Sequence, residues 1–278
     1  MPSPAPVSTD DIDLLVDGVS TNPHAILGAH PHEEAVTIRV LRPMAKAVTV
    51  RSGEDSFPME HEHRGVWQVV VPKAEVPDYR IDVDYGDGPR PAEDPYRYLP
   101  TLGDVDLHLL GEGRHEQLWQ ALGAHTRIYG SDHGPVTGTS FAVWAPSARG
   151  VRVVGDFNYW DGAGHPMRSL GSSGIWELFV PDVGDGTRYK FSILGEDYVW
   201  RDKADPVAFA TEVPPQSASV VFTSDYDWGD TAWLERRAAA DPLTSPMSIY
   251  EVHLGSWRRG LSYEQLADEL TDYVLAQG

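Results

Sequence analysis

Residues 65–72 read Gly-Val-Trp-Gln-Val-Val-Val-Pro, and residues 174–181 read Gly-Ile-Trp-Glu-Leu-Phe-Val-Pro. Each stretch is a short run of β-branched and aromatic residues closed by proline, the pattern of a strand that ends at a turn. The sequence around them corresponds too. The first copy passes through Arg42-Pro43, Val48, Trp67, Pro72, Tyr79 and Asp94-Pro95, the second through Ala145-Pro146, Val151, Trp176, Pro181, Tyr189 and Asp205-Pro206. The separation drifts only from 103, between Pro43 and Pro146, to 111, between Pro95 and Pro206. Landmarks in one order with so little slippage indicate a duplicated unit. Within the first copy the runs VTIRVL, AVTVRS, VWQVVV and YRIDVDY alternate and are separated by Pro, Gly and Asp clusters, the signature of a β-sandwich. The expected fold is therefore mainly β: two tandem immunoglobulin-like sandwiches, the first over residues 19–105 and the second over 135–226.

Outside the copies the pattern changes. Residues 1–8 are rich in Pro and Ser and read as a loose tail. Ser8 with Asp11, then Ile12, Leu15 and Val16 on one face and Gly18 as a stop, predict a short capped helix that lids the next domain, so that residues 1–18 form a tail and helix. Residues 106–134 read as a linker with a short helix around Leu118, Trp119 and Leu122, and 227–246 as a second linker whose helix, 231–240, stops at Asp241-Pro242. From Met247 the style changes once more. Ser248–Leu254 reads as a strand, Ser262 and Gln265 as a capping box, and Leu266, Leu270, Tyr273 and Val274 as the apolar stripe of a helix. A parallel βα unit is completed by a further strand beyond its helix, and none follows. The expectation is an incomplete (β/α)8 barrel, cut after its first unit at 247–278. In the rival reading, strand 248–254 adds to a sandwich edge.

The chain of 278 residues has 22 Lys+Arg against 42 Asp+Glu, a formal net charge of −20, which opposes binding to phosphate backbones and anionic lipid. Nucleic acid and membrane are thus not expected as partners. The absence of cysteine removes disulfides and thiolate metal sites and fits a reducing cytoplasm. The first basic residue is Arg39 and no apolar run approaches ~18 residues, so neither a signal peptide nor a membrane span is read. His30-x-His32 and His61-x-His63 have metal-like spacing but lack a third ligand nearby, and no metal or other cofactor is expected. Asp225 and Asp227 read as solvated turn residues.

Several segments together carry a resemblance. Phe141-Ala-Val-Trp-Ala-Pro146, Val153-Val-Gly-Asp-Phe-Asn-Tyr-Trp-Asp161, His165-Pro-Met167 and Gly174-Ile-Trp-Glu-Leu178 resemble the family 48 carbohydrate-binding module of glycogen branching enzymes. Ser248-Ile-Tyr-Glu-Val-His-Leu-Gly-Ser-Trp-Arg-Arg259 looks like the opening strand of the catalytic barrel in the same enzymes, of glycoside hydrolase family 13. Asn22-Pro-His24 through Leu27-Gly28, and Gly111 to Glu116, are similar to their first domain and linker. The resemblance implies 1,4-α-glucan branching with retention, which needs two carboxylic groups about 5–5.5 Å apart. The family carries them on middle strands of a barrel of ~250 residues. Only residues 247–278 could belong to that barrel, so no residue here is assigned a catalytic role. Glu251 and His253 share one face of the expected first strand. The alternative function is a freestanding, non-catalytic glucan-binding or scaffold protein.

Sugar binders present exposed aromatic faces with polar groups beside them. The resemblance places stacking on Trp160 and Trp200, with Lys190 between them, and names α-glucan (glycogen or amylose) and the missing barrel as partners. The duplicated unit supplies a control. In the first copy the hairpin from Val48 to Met59 is five residues shorter than that from Val151 to Met167 and has no tryptophan, and Pro89 and Arg80 stand where Trp200 and Lys190 do. Trp67, Trp144 and Trp176 are expected in the core. The residues by themselves leave Trp160 and Trp200 open between core and platform.

Overall fold

The computed structural model describes residues 2–277. In the first copy β1 (Gly28–His32), β2 (Ala35–Leu41), β3 (Ala47–Ser52), β4 (Asp55–Pro58), β5 (Glu60–His63), β6 (Val66–Val71), β7 (Arg80–Asp84) and β8 (Pro89–Ala92) form two antiparallel sheets, ordered β1-β2-β6-β5 and β4-β3-β7-β8. The second copy comprises β9 (Gly123–Tyr129), β10 (Val136–Trp144), β11 (Gly150–Gly155), β12 (Arg168–Ser169), β13 (Ile175–Pro181), β14 (Arg188–Leu194), β15 (Trp200–Lys203), β16 (Ala210–Thr211) and β17 (Ser219–Val220). Its sheets run β12-β13-β10-β9 and β11-β14-β17-β16, with β15 also on β14. Strands such as β3 and β7 alternate, with Val48, Val50, Ile81 and Val83 inward, so the period of two in the sequence is the period of the pleat.

The duplicated landmarks are places where a buried polar group finds its partner. Trp67 Nε1 donates to the carbonyl of Arg42 at 3.2 Å, and Trp176 Nε1 donates to that of Ala145 at 3.1 Å, in both cases the residue before the proline. Tyr79 Oη donates to Asp94 at 2.6 Å and Tyr189 Oη to Asp205 at 2.5 Å. Each carboxylate also accepts a backbone N–H two residues on, from Tyr96 or Val207. Gly65 and Gly174 have φ of +86° and +76°, and a Cβ at either would press on Pro43 or Pro146. Four recurring side-chain types thus secure the same corners twice.

Long-range packing alters several local expectations. The tail is not loose: the Ala5 N–H donates to Thr37 Oγ1 and its carbonyl accepts from Arg39 Nη2. Thr37 and Arg39 lie on the outer face of β2 and are buried, so they require such partners. Helix α1 (Thr9–Asp17), capped by Ser8 and ended by Gly18, is no lid on one domain. Its Ile12 and Leu15 join one cluster with Leu41, Val66 and Tyr96 of the first sandwich and Val151, Met167 and Trp176 of the second. The two sandwiches share this core. Residues 123–129, read as linker, are strand β9, paired with β10 along its length. Helices α2 (Asp104–Gly111) and α3 (Leu118–Ala121) lie before it, and their apolar residues cover Ala142 and Ile175.

Trp144 is 60% exposed, against the expectation of core, whereas Trp67 and Trp176 are buried. Phe141 and Val143 face the main cluster, so pleating turns Ala142 and Trp144 to the other face. Strand β10 is buried on both faces for most of its length, which hides from the sequence which face is the core.

Residues 225–278 are a separate unit. Helix α4 (Thr231–Ala239) forms where expected. The segment 248–254 is not a strand: it pairs with nothing among the described residues, and its last residue opens a short helix, α5 (Leu254–Trp257). An extended segment becomes a strand only by hydrogen-bonding a neighbour. Tyr250 instead contacts Tyr273, and its hydroxyl accepts from Trp257 Nε1 at 3.1 Å. Consequently Glu251 and His253 share no strand face. Helix α6 (Tyr263–Gln277) has the expected capping box, Ser262 Oγ accepting from the Gln265 N–H and Gln265 Oε1 from the Ser262 N–H. Of its stripe Leu266 is buried, Leu270 and Tyr273 half-buried and Val274 exposed.

Candidate functional site

The loop after β11 is built around Asn158. Its carbonyl oxygen accepts the Gly155 N–H at 2.9 Å, while its amide donates to the Val153 carbonyl at 3.0 Å and to His165 Nδ1 at 3.2 Å. His165 is half-buried and accepts at Nδ1, and desolvation lowers its pKa to about 3, so it stays neutral. Phe157 stacks on core Phe141, anchoring the turn. Tyr159 and Trp160 follow, at φ +53° and +64°. Left-handed backbone costs a side-chain-bearing residue roughly 1–2 kcal/mol, so two in succession are sustained by the surrounding contacts. This geometry leaves Tyr159 93% and Trp160 38% exposed at the tip.

Trp160 is held in place as well as exposed. Its backbone N–H donates to the Gly155 carbonyl at 3.0 Å, and its side chain lies beside the Asp156 carboxylate. Arg188 grips Asp156 through Nε and Nη2, each at 2.9 Å, and reaches Glu212 at 3.2 Å. The guanidinium holds the Asp156 carboxyl below its ordinary pKa, so it remains an anion. Lys190 is opposite Val154 in the β11–β14 ladder, and its Nζ donates to Ser217 Oγ at 3.0 Å. Trp200 is opposite Leu194 in the β14–β15 ladder.

Tyr189 and Phe191 point into the core, so Lys190, Ser192 and Leu194 point outward, and cross-strand pairing puts Val154, Arg152 and Trp200 on that same outer face. The sheet thus puts Lys190 and Trp200 on one face, while Trp160 stands on the loop that leaves it at Gly155. Trp160 and Lys190 sit at the Gly155 end. Trp200 sits four residues along, about 13 Å at the rise of a strand. One face of its ring is already occupied: the Arg152 guanidinium lies 4.3 Å from the ring centroid and donates to the Val16 carbonyl, at the end of α1, at 3.0 Å. Burial lowers the Arg152 pKa, the cation–π contact lying in a partly desolvated spot.

The residues missed from the sequence are Tyr159, Asp156 and Arg152. The Tyr-Trp doublet at a hairpin tip was a visible signal for the first. Nothing local marks the other two, whose partners are 32 and 136 residues away. The histidine pairs do not converge on a cation site. His30 Nε2 bonds the Leu27 carbonyl, His61 Nε2 accepts from Gly65 and His63 pairs with Asp13. No cluster of three or more potential metal ligands occurs among the described residues, and no helix there is long and apolar enough to cross a membrane.

A β-sandwich of two antiparallel sheets with a half-exposed tryptophan at a loop tip is a fold that carbohydrate-binding modules share. Sequence comparison makes this specific. Residues 8–96 match the family described as alpha-1,4-glucan branching enzyme GlgB, N-terminal domain, and residues 121–208 the family described as carbohydrate-binding module 48 (isoamylase N-terminal domain). The chain carries both domains in that order and corresponds to the N-terminal region of the GlgB branching enzymes. It is 62% identical over 273 residues to 1,4-alpha-glucan branching enzyme GlgB of Frankia casuarinae, covering 97% of this chain and 34% of the relative. It is 63% identical over 270 residues to that of Thermobifida fusca, covering 96% and 36%. It therefore spans about a third of the length of these curated relatives. Among solved structures, pullulanase type I from Bacillus subtilis complexed with maltose aligns at a TM-score of 0.31 and 19% identity over 72% of this chain and 27% of that one.

Proposed function

We propose that this chain is the N-terminal scaffold and glucan-binding part of a cytoplasmic 1,4-α-glucan branching enzyme, and that it supplies no catalytic group itself. In such an enzyme an α-1,4-linked segment is cut and passed to a 6-hydroxyl with retention, through a carboxylate nucleophile and a carboxylic acid–base. The role assigned to these residues is to hold α-glucan, glycogen or amylose, near that chemistry. The observation that carries the reading is the half-exposed Trp160 ring beside the Asp156–Arg188 pair, with Lys190 at the same end of the sheet, in a sandwich of the module 48 family. A sugar ring's C–H face stacks on the indole, and the Lys190 ammonium donates to its hydroxyls. Trp200 offers only the ring face that Arg152 leaves open.

We further assign residues 247–278 to the first strand and helix of the (β/α)8 barrel, with 248–254 becoming a strand when a parallel neighbour pairs with it. Support comes from the finished, capped helix α6 and from the exposure of Met247 and Ile249 at the start of the expected strand. Electrophoresis through glycogen-containing gels tests the binding role. The chain should be retarded, Trp160→Ala and Lys190→Ala should restore mobility, and Trp200→Ala should have a smaller effect. Unretarded wild-type protein, or retardation indifferent to Trp160→Ala, refutes the assignment. Loss of iodine colour from amylose treated with the purified chain would refute the non-catalytic role.

A further inference from the structure

A second concave surface lies away from the Trp160 face, between the free edge of β9 and the segments around β16 and β17. This groove has a volume of about 360 Å³, lined on one side by Trp119 and Gln120 of α3 and His125 and Arg127 of β9, and on the other by Phe209 and Phe222. Trp119 is 52% exposed and both phenylalanines are about half exposed, so three aromatic rings border it that the core does not claim. A hydroxyl–hydroxyl bond between Thr126 and Thr223, 3.1 Å, joins the two sides.

The polar groups are the informative part. Neither the Gln120 amide nor the Arg127 guanidinium makes a hydrogen bond or ion pair among the described residues. His125 bonds the Leu122 carbonyl through Nε2 at 3.0 Å, which requires the proton on that nitrogen and leaves Nδ1 as an acceptor without a protein partner. Burial lowers the His125 pKa, so the ring is neutral at physiological pH. The groove therefore offers uncommitted donors and uncommitted acceptors together with open aromatic faces. An anion would use only the donors, and a chain of net charge −20 disfavours it further. An apolar ligand would leave the polar groups unpaired. A sugar matches both, since each hydroxyl donates and accepts while the ring presents C–H faces.

We propose that this groove is a second α-glucan subsite of the same sandwich, separate from the Trp160 face and sized for a short stretch of chain. The choice of glucan rests on the function proposed above. Two sites on one module raise avidity for a polymer beyond that of either alone. The test uses the 278-residue chain, calorimetry with maltoheptaose and affinity electrophoresis with glycogen, on Trp160→Ala, on Trp119→Ala/Phe222→Ala and on the combination. Thermal melting checks that each variant is folded. The groove variant should weaken maltoheptaose binding to its site on the order of tenfold, and the combination should abolish the binding left in Trp160→Ala. Gln120→Ala and Arg127→Ala, both exposed and outside the core, should each give a smaller loss.

If only Trp160→Ala weakens binding, the groove is not a sugar site and the function proposed above stands. If only the groove variant does, the inference stands and the Trp160 assignment falls. Indifference to both sets of changes removes both. Groove variants that alter self-association in ultracentrifugation but leave sugar binding unchanged would make the groove a protein contact and overturn the inference.

Discussion

Replacing Tyr189 with Phe removes one hydroxyl and leaves the ring in place. In the wild type that hydroxyl donates to Asp205 at 2.5 Å, with Tyr189 fully buried and Asp205 nearly so. Hydrogen bonds to charged groups are worth about 1.5–3 kcal/mol, and the lost partner here is a desolvated carboxylate. The expected loss at pH 7 is therefore about 2 kcal/mol. For a folded unit of some 220 residues this lowers the melting temperature by about 4–8 °C. The pH dependence gives a second, sharper reading. Burial raises the Asp205 pKa, and the Tyr189 bond opposes that rise. In Tyr189→Phe the folded-state pKa must climb further above its unfolded value near 3.9. A carboxyl whose folded pKa is raised binds more protons when folded, so stability falls as pH rises from the unfolded value through the folded one. The variant's deficit should thus be greatest at pH 7 and shrink as the pH falls toward 4 and the carboxyl takes up its proton. Urea denaturation at the two pH values measures it. A deficit under ~0.5 kcal/mol at pH 7, or one that grows on acidification, would refute the reasoning. Tyr79→Phe, which strips the same bond from Asp94, should repeat the result in the first sandwich.

Gly150→Ala places a Cβ 2.0 Å from the Gly18 carbonyl oxygen at the end of α1, so overpacking should cost about 1–3 kcal/mol, read as a lower urea midpoint. An unchanged midpoint would mean α1 shifts freely. Arg168→Met leaves Glu177, which is fully buried, with Thr101 as its sole partner among the described residues, an expected loss of about 3–5 kcal/mol. Arg168→Met/Glu177→Met should recover much of that, and no recovery would place the cost in packing rather than in an unpaired charge. Burial lowers the pKa of His24 and His165 to about 3, so the unfolded chain takes up protons first as pH falls below ~6.5. Stability from these rings is complete above that value and is lost progressively toward pH 3. His165→Gln should lose less stability than wild type between pH 7 and 5, measured by thermal melting, and an equal slope would count against a neutral His165.

The duplication was legible because each of its landmarks serves a partner set by the fold, at a spacing that strand and turn lengths fix: Trp176 for the Ala145 carbonyl, Tyr189 for Asp205. Capped helices were legible for the same local reason, since Ser8 and Asp11, or Ser262 and Gln265, are three residues apart. The strand expected at 248–254 failed because strand formation is decided by a partner rather than by composition. Trp144 was misplaced because a strand covered on both sides has no polar face to reveal its orientation.

Alternation, turn chemistry and the twice-written motif determined two sandwiches, the family they resemble and the three residues to inspect, all through contacts between residues near in sequence or repeated at fixed spacing. Only the folded chain decided how those residues are presented. Arg152 covers Trp200 through a bond to Val16, Ala5 satisfies Thr37 and Arg39, and Arg188 pins the carboxylate beside Trp160. Each is a pairing across 32 or more residues, and its existence depends on which faces the shared core brings together. No periodicity in the sequence encodes that choice, because the energy that selects it belongs to the packed whole.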